Sequence, residues 1–163
     1  MSSRCWIYRN ALTELLAEAR RWPRRETGGA LLGWRDGDRT VVARILGPGP
    51  HARHERHAFE PDAEWQNAEG ARIYEDSGRM IAYLGDWHTH PRGSLVPSRQ
   101  DAQTAEAIAQ DGGFRTATPL YAIAGRRFRP RAAWRLNLYE WRAGRFATVV
   151  VEMIDPEGSP RSG

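Results

Sequence analysis

Residues 80–91 read MIAYLGDWHTHP and predict a buried strand that ends in a pair of histidines. Residues 80–87 are mostly apolar or aromatic, which is typical of a strand inside a sheet. Side chains alternate between the two faces of a strand, so His88 and His90 are expected to point the same way. Their Cα atoms would lie roughly 6–7 Å apart, because each residue advances the strand by ~3.3 Å. Both imidazoles can then reach one metal ion.

A helix is predicted to follow this strand after a short loop. Pro91 and Gly93 end the strand, and residues 102–110 have the composition of a helix. Ser98 is a favourable N-cap, and an acidic residue three positions later, Asp101, resembles a capping box. One strand end and one helix start are therefore expected to bring three metal-binding side chains together.

The combined pattern is H-x-H-x7-S-x2-D. Two imidazoles, from His88 and His90, and one carboxylate, from Asp101, are the protein ligands that a catalytic zinc ion takes, and they leave a fourth position for water. Each half of the pattern also has an ordinary interpretation: H-x-H can be a histidine pair that binds no metal, and S-x2-D can be a plain helix cap. Their combination at this spacing favours a Zn²⁺ site and a metal-dependent hydrolase.

Alternating strand and helix patterns run along the rest of the chain. Asp36-Gly37 and Ala143-Gly144 are turn signals between strands, and Pro23 ends the first helix. The fold class is predicted to be α/β, a single domain over residues 1–154 with a mostly antiparallel mixed sheet flanked by helices, followed by a flexible tail at 155–163. The predicted strands are 4–8, 29–34, 40–46, 120–124, 133–141 and 146–154, and the further helices are 10–22 and 61–76.

Length and composition fit one small enzyme. The chain has 163 residues, of which 40% are hydrophobic, enough for one core. The single cysteine, Cys5, excludes an internal disulfide and is expected in the core. No apolar run approaches the ~20 residues of a membrane-spanning helix, and no signal-peptide pattern is present. We therefore expect a cytoplasmic protein that does not engage a membrane.

The basic residues are all arginine. The chain has 24 of them and no lysine, with a formal net charge of +4. A GC-rich genome that favours arginine codons explains this, and an alternative is that the protein avoids being tagged on lysine. Clusters such as Arg20-Arg21 and residues 126–129 could contact phosphate. No nucleic-acid motif accompanies them, so we expect a solvated surface and no specific nucleic-acid partner.

A second histidine group comprises His51, His54 and His57. The nearby Pro48 and Pro50 favour a loop over a helix, so we expect exposed loop residues near the substrate groove. A second metal site is the alternative. Residues 92–97 lie where a loop could shape access to the first site, or they are a plain connector.

The pattern of His88, His90, Ser98 and Asp101 resembles the JAMM motif of the JAB/MPN zinc metalloproteases. That family also has an upstream glutamate, and the segment ETGGALLG at 26–33 is similar to it. From residue types alone Glu26 would not stand out among the glutamates. The resemblance implies that the two histidines and Asp101 bind zinc, that Glu26 is the general base, and that Ser98 donates a hydrogen bond to the oxyanion. Ser98 is equally suited to capping the helix.

A narrower resemblance is to stand-alone bacterial JAB peptidases encoded beside ubiquitin-like conjugation genes in anti-phage operons, including the CBASS type. It extends over the segments at 27–34, 47–50, 59–62 and 83–91, with Asp86 where such relatives often have glutamate. It implies a ubiquitin-like substrate, with activating and conjugating enzymes as further partners. The alternatives are a peptidase for a ubiquitin-fold sulfur carrier and a non-catalytic MPN scaffold. Scaffold members typically lose ligands, and this chain keeps all of them.

Overall fold

The structure, a computed structural model, describes residues 3–126 and 133–156. Residues 127–129 of the arginine cluster and 157–163 of the predicted tail lie outside the described residues. The strands are β1 (Arg4–Tyr8), β2 (Gly28–Asp36), β3 (Arg39–Leu46), β4 (Arg53–His54), β5 (Phe59–Glu60), β6 (Ala82–His90), β7 (Leu120–Gly125), β8 (Arg135–Arg142) and β9 (Arg145–Ile154), and the helices are α1 (Arg9–Arg21), α2 (Ala63–Asp76) and α3 (Arg99–Gln110).

Seven strands form one sheet that closes on itself in the order β1-β3-β2-β6-β7-β8-β9. The pairs β1–β3, β1–β9 and β6–β7 are parallel, and the other neighbouring pairs are antiparallel. The predicted α/β class with a mostly antiparallel mixed sheet is confirmed. Closure of the sheet was not predicted, because it depends on β1 pairing both with β3 and with β9 at the other end of the chain.

Most predicted elements are confirmed to within one or two residues, but the segment before α2 differs. The helix predicted to begin at residue 61 begins at Ala63, two residues later. Asp62 is the N-cap, and its carboxylate accepts a hydrogen bond from the backbone N–H of Trp65 at 3.1 Å. The preceding loop also contains a short hairpin, β4 paired with β5, where an irregular loop was expected.

Close packing between β2 and its neighbours explains the pair of glycines at the start of β2. A Cβ on Gly29 would lie 1.8 Å from the carbonyl oxygen of Leu46 on β3. The indole N–H of Trp87, on the other side of β2, donates to the same carbonyl at 2.9 Å. Gly29 therefore allows β3 and the Trp87 side chain on β6 to approach β2 from both sides, which holds the histidine strand in the core.

Cys5 lies in the core beneath α1, as predicted, with 0% of its surface exposed. Burial raises the pKa of its thiol to about 12. Because the thiolate is the reactive form, we expect the folded protein to react with a thiol-specific dye many times more slowly than a free cysteine at pH 8. Unfolding in denaturant should release one rapidly reacting thiol per chain. Fast labelling of the folded protein would contradict this burial.

Within the described parts of the chain, none of the helices is long and apolar enough to cross a membrane.

Candidate metal centre

His88 and His90 lie at the end of β6 with their side chains on the same face, as the alternation predicts. Their Nε2 atoms are 2.9 Å apart. The two side chains are largely buried, with 12% and 18% of their surface exposed. The convergence follows from the ladder on both sides of β6, because His88 pairs with Gly28 of β2 and with Ile123 of β7.

Asp101 reaches the same point from the first turn of α3. Oδ1 of Asp101 lies 3.4 Å from Nε2 of His88, and Oδ2 lies 3.8 Å from Nε2 of His90. The predicted capping box is present: the Ser98 hydroxyl accepts from the N–H of Asp101 at 3.2 Å, and the Asp101 carboxylate accepts from the N–H of Ser98 at 2.5 Å. The helix cap therefore fixes the rotamer that directs the carboxylate toward the histidines.

The surroundings of the two rings suit metal binding. Nδ1 of His90 lies 2.6 Å from the carbonyl oxygen of Ser94, an acceptor, so Nδ1 carries a proton and Nε2 is the nitrogen that a metal ion would bind. Burial lowers the pKa of His88, although the nearby Asp101 carboxylate opposes this. Neutral imidazoles with a second hydrogen bond that fixes the tautomer are what a metal ion requires.

Residues 92–97 contribute to this arrangement and are more than a connector. The Ser94 carbonyl orients His90, and the next carbonyl, of Leu95, accepts a hydrogen bond from the Tyr139 hydroxyl at 2.6 Å. The side chain of Leu95 lies against Gly125, where a Cβ would be 2.7 Å from it. The loop is therefore fastened to β7 and β8 beside the histidines.

The three side chains fit a metal ion. One nitrogen or oxygen from each of His88, His90 and Asp101 can be chosen so that all lie within 4.8 Å of one another. Two nitrogens bound to zinc at about 2.0–2.1 Å in a tetrahedral arrangement would be roughly 3.3 Å apart, close to the 2.9 Å between the two imidazoles. Small movements of the side chains would complete the coordination.

Glu26 lies two residues before β2, close enough to His90 and Asp101 for their charges to act on it. The ladder between β2 and β6 ends at the Gly28–His88 pair, and one residue further the N–H of Thr89 donates to the carbonyl of Thr27 at 2.8 Å. Glu26 comes next in the chain, near the end of β6. Burial raises the pKa of the Glu26 carboxyl, the charge of His90 lowers it, and that of Asp101 raises it. The carboxyl is thus close enough to sense the charge of both metal-site residues, and its raised pKa suits proton transfer.

Asp86 shares the face of β6 with the histidines, and sequence reasoning noted it only as a departure from relatives. The Tyr83 hydroxyl donates to its carboxylate at 2.9 Å, and burial raises the pKa of Asp86 to about 6. Side chains alternate along a strand, so positions 86, 88 and 90 share one face, and this pattern could have predicted that Asp86 lies beside the site.

The second histidine group does not form a cluster. His51 is exposed and its Nδ1 lies 3.0 Å from the Asp62 carboxylate. His54 lies between the rings of Trp22 and Phe59, and His57 is exposed. Within residues 3–126 and 133–156, His88, His90 and Asp101 are the group with metal-binding geometry. The expectation of exposed loop residues therefore describes His51 and His57 but was wrong for His54.

Comparison with known proteins agrees with this geometry. The family described as prokaryotic homologs of the JAB domain matches residues 9–137. A probable metalloprotease, y4qB, of Sinorhizobium fredii (strain NBRC 101917 / NGR234) is 36% identical over 120 residues, which are 72% of this chain and 73% of that protein. A CD-NTase/cGAS isopeptidase of Escherichia coli (strain TW11681) is 33% identical over 79 residues, 48% of this chain and 51% of the isopeptidase.

A second CD-NTase/cGAS isopeptidase, of Vibrio cholerae (serotype O1, strain ATCC 39315 / El Tor Inaba N16961), is 33% identical over 47% of this chain and 49% of the isopeptidase. The chain therefore matches about half of the length of each isopeptidase. The solution structure of DSY2949 from Desulfitobacterium hafniense has the same fold, with a TM-score of 0.71 at 21% identity over 93% of this chain and 94% of that one. The chain belongs to the prokaryotic JAB-domain family of metallopeptidase-like hydrolases.

Proposed function

We propose that the protein is a zinc-dependent isopeptidase or peptidase that cuts after the C-terminus of a ubiquitin-like protein. The observation that carries the proposal is the convergence of His88, His90 and Asp101, with Glu26 two residues before the Gly28–His88 pair of β2 and β6. The proposed catalytic domain is residues 1–154.

The donor set favours zinc over magnesium and calcium. Two imidazoles and one carboxylate are typical of catalytic zinc sites, whereas magnesium and calcium prefer sites made of oxygen atoms. A zinc ion bound by these residues would polarise the scissile carbonyl and lower the pKa of a water molecule to about 7.

Glu26 is the proposed general base. Its carboxylate would take a proton from the attacking water and later deliver that proton to the leaving amine. The surroundings support this role, since burial raises the pKa of Glu26 and brings it closer to neutrality. A base that accepts and then returns a proton works best when its pKa lies near the working pH.

Ser98 is the proposed oxyanion donor, and its part in the helix cap does not use the hydroxyl proton. In the cap the Ser98 oxygen accepts from the N–H of Asp101, which uses a lone pair and not the hydroxyl proton. The same hydroxyl can therefore cap α3 and donate to a developing oxyanion.

Substitutions of Ser98 should separate these two roles. We expect Ser98→Gly and Ser98→Ala to lower kcat by about 10²–10³-fold, the usual cost of losing one oxyanion donor. The alanine variant should also lose about 1 kcal/mol of unfolding free energy, and the glycine variant only about a few tenths, because glycine is tolerated at an N-cap. Denaturant unfolding measured beside kcat checks both values. A glycine variant with the kcat of the wild type would remove Ser98 from the mechanism.

The relatives point to an amide formed on a lysine side chain as the substrate. Two of them are named CD-NTase/cGAS isopeptidases, which supports a conjugate-processing role for this chain. We propose that it matures the ubiquitin-like precursor, removes the modifier from targets, or both, in a bacterial anti-phage system with activating and conjugating enzymes. The proposed place of action is the cytoplasm, where reducing conditions suit the free thiol of Cys5. A ubiquitin-fold sulfur carrier is the alternative substrate.

Cleavage of a defined fusion tests this function. The zinc-loaded protein would be mixed with a ubiquitin-like domain fused through its C-terminal residue to a reporter, and in parallel with the same domain joined to a lysine side chain. We expect one cut after the modifier, abolished by a chelator and restored by zinc. Cleavage of sulfur-carrier fusions alone would favour the alternative substrate. Binding of the modifier without any cleavage would favour the scaffold.

A further inference from the structure

We propose that His54 is a positioning residue that fixes the direction of the Glu26 side chain by binding the Glu26 backbone. The inference rests on the proposed role of Glu26 as the base. It assigns a function to one histidine of the second group, which the metal centre does not use.

Both backbone groups of Glu26 are bound by the β4–β5 hairpin. The N–H of Glu26 donates to the carbonyl of Glu55 at 2.8 Å. The carbonyl of Glu26 lies 3.0 Å from Nδ1 of His54. Because a carbonyl only accepts, Nδ1 of His54 must carry the proton. The backbone of Glu26 is thus held on one side by the ring of His54 and on the other by the carbonyl of Glu55.

The peptide group between Glu26 and Thr27 also forms a hydrogen bond to β6, through the N–H of Thr27. The N–H of Thr27 donates to the Thr89 hydroxyl at 3.0 Å, and the N–H of Thr89 donates to the Thr27 carbonyl at 2.8 Å. The peptide plane between Glu26 and Thr27 is therefore held by His54 through its C=O and by Thr89 through its N–H. This fixes ψ of Glu26, while the bond to Glu55 restrains φ, so the direction of the Cα–Cβ bond is set.

The His54 ring is itself locked in place. It stacks on Trp22 with ring centroids 3.6 Å apart and planes inclined by 10°, and Phe59 covers it at 5.5 Å. Phe59 in turn lies against Gly28, where a Cβ would be 2.8 Å from the phenyl ring and 3.0 Å from Cβ of His88. A rigid aromatic stack therefore connects the hydrogen bond on Glu26 to the metal strand.

Loss of the His54 N–H should displace the carboxylate without removing any reacting group. A small rotation of the peptide plane moves the end of a glutamate side chain by ~1 Å, and misplacement on this scale costs up to about 10²-fold in rate. The effect should appear in kcat, because His54 is not proposed to touch the substrate. Metal binding should be unchanged, since the three ligands keep their supports.

Two substitutions separate the hydrogen bond from the packing. His54→Phe keeps a flat ring between Trp22 and Phe59 but removes the donor, whereas His54→Asn offers an N–H near the position of Nδ1 but removes the stack. We expect His54→Phe to lower kcat about 10-fold with KM and zinc content unchanged. His54→Asn should recover most of kcat despite a lower melting temperature. The opposite order, an active phenylalanine variant and an impaired asparagine variant, would mean that His54 only packs.

A matched control and a double variant complete the kinetic test. Arg53→Ala removes the exposed ion pairs of the same hairpin with Glu55 and Glu60 and should leave kcat unchanged. In a Glu26→Gln background His54→Phe should have no further effect on the residual rate, because His54 acts through the base. A further 10-fold loss in that background would overturn the proposal.

A readout that needs no substrate keeps this inference separate from the proposed function. Imidazole ¹⁵N shifts should show His54 in the Nδ1–H tautomer. Amide relaxation should show that Glu26 and Thr27 become more mobile in His54→Phe and regain order in His54→Asn. A wild-type protein that cleaves nothing would contradict the proposed function, whereas these spectra would still test whether His54 positions Glu26. An Nε2–H tautomer, or equal mobility in all variants, would refute it.

Discussion

Replacing Glu26 with glutamine is expected to lower kcat by at least about 10²-fold while the bound zinc stays at the wild-type level. General acid–base catalysis contributes typically about 10²–10⁴-fold, and glutamine keeps the size and hydrogen-bonding capacity of the side chain but cannot accept a proton. The metal should remain because its proposed ligands are His88, His90 and Asp101. Steady-state kinetics on the modifier fusion, with zinc content measured on the same sample, checks both statements.

Glu60→Gln is the matched control for this prediction. Glu60 is the same residue type in the neighbouring hairpin, where it is exposed and pairs with Arg53 at 3.6 Å. Its substitution should leave kcat within about two-fold of the wild type, as surface changes usually have little effect. Equal rates in Glu26→Gln and wild type would show that the base is another group.

The double variant His88→Ala, His90→Ala should lose both the metal and all measurable cleavage. Two of three protein ligands disappear, and Asp101 alone cannot hold the ion at physiological concentrations. Elemental analysis should give about one zinc per chain in the wild type and little in the variant.

The exposed histidines provide the control for metal binding. His51→Ala, His57→Ala removes as many imidazoles from the surface as the first double variant removes from the site. We expect this variant to keep its zinc and its activity. Loss of zinc from this variant, or retention of zinc by the His88, His90 variant, would place the metal elsewhere.

Local sequence patterns predicted the elements that carry the site. Alternation along β6 placed His88 and His90 on one face, and the offset between Ser98 and Asp101 predicted the capping box that the structure contains. Each of these features depends on residues close in sequence, whose geometry the period of the strand or the first turn of the helix sets.

Features that depend on distant contacts were harder to predict. Residue types did not distinguish Glu26 from other glutamates, and only family resemblance selected it, because its position follows from the pairing of β2 with β6. The ring stack of Trp22, His54 and Phe59 joins three separate segments, so spacing alone suggested a loop histidine. Closure of the sheet likewise requires β1 to pair with β9 across almost the whole chain.

A crystal structure of the zinc-loaded protein, with anomalous diffraction collected on both sides of the zinc absorption edge, tests the central claim most directly. We predict one anomalous peak bound by Nε2 of His88, Nε2 of His90 and a carboxylate oxygen of Asp101 at about 2.0–2.2 Å, with a solvent molecule as the fourth ligand beside Glu26. A protein that yields no peak at these residues, or a peak with four protein ligands and no place for water, would contradict a catalytic metal centre.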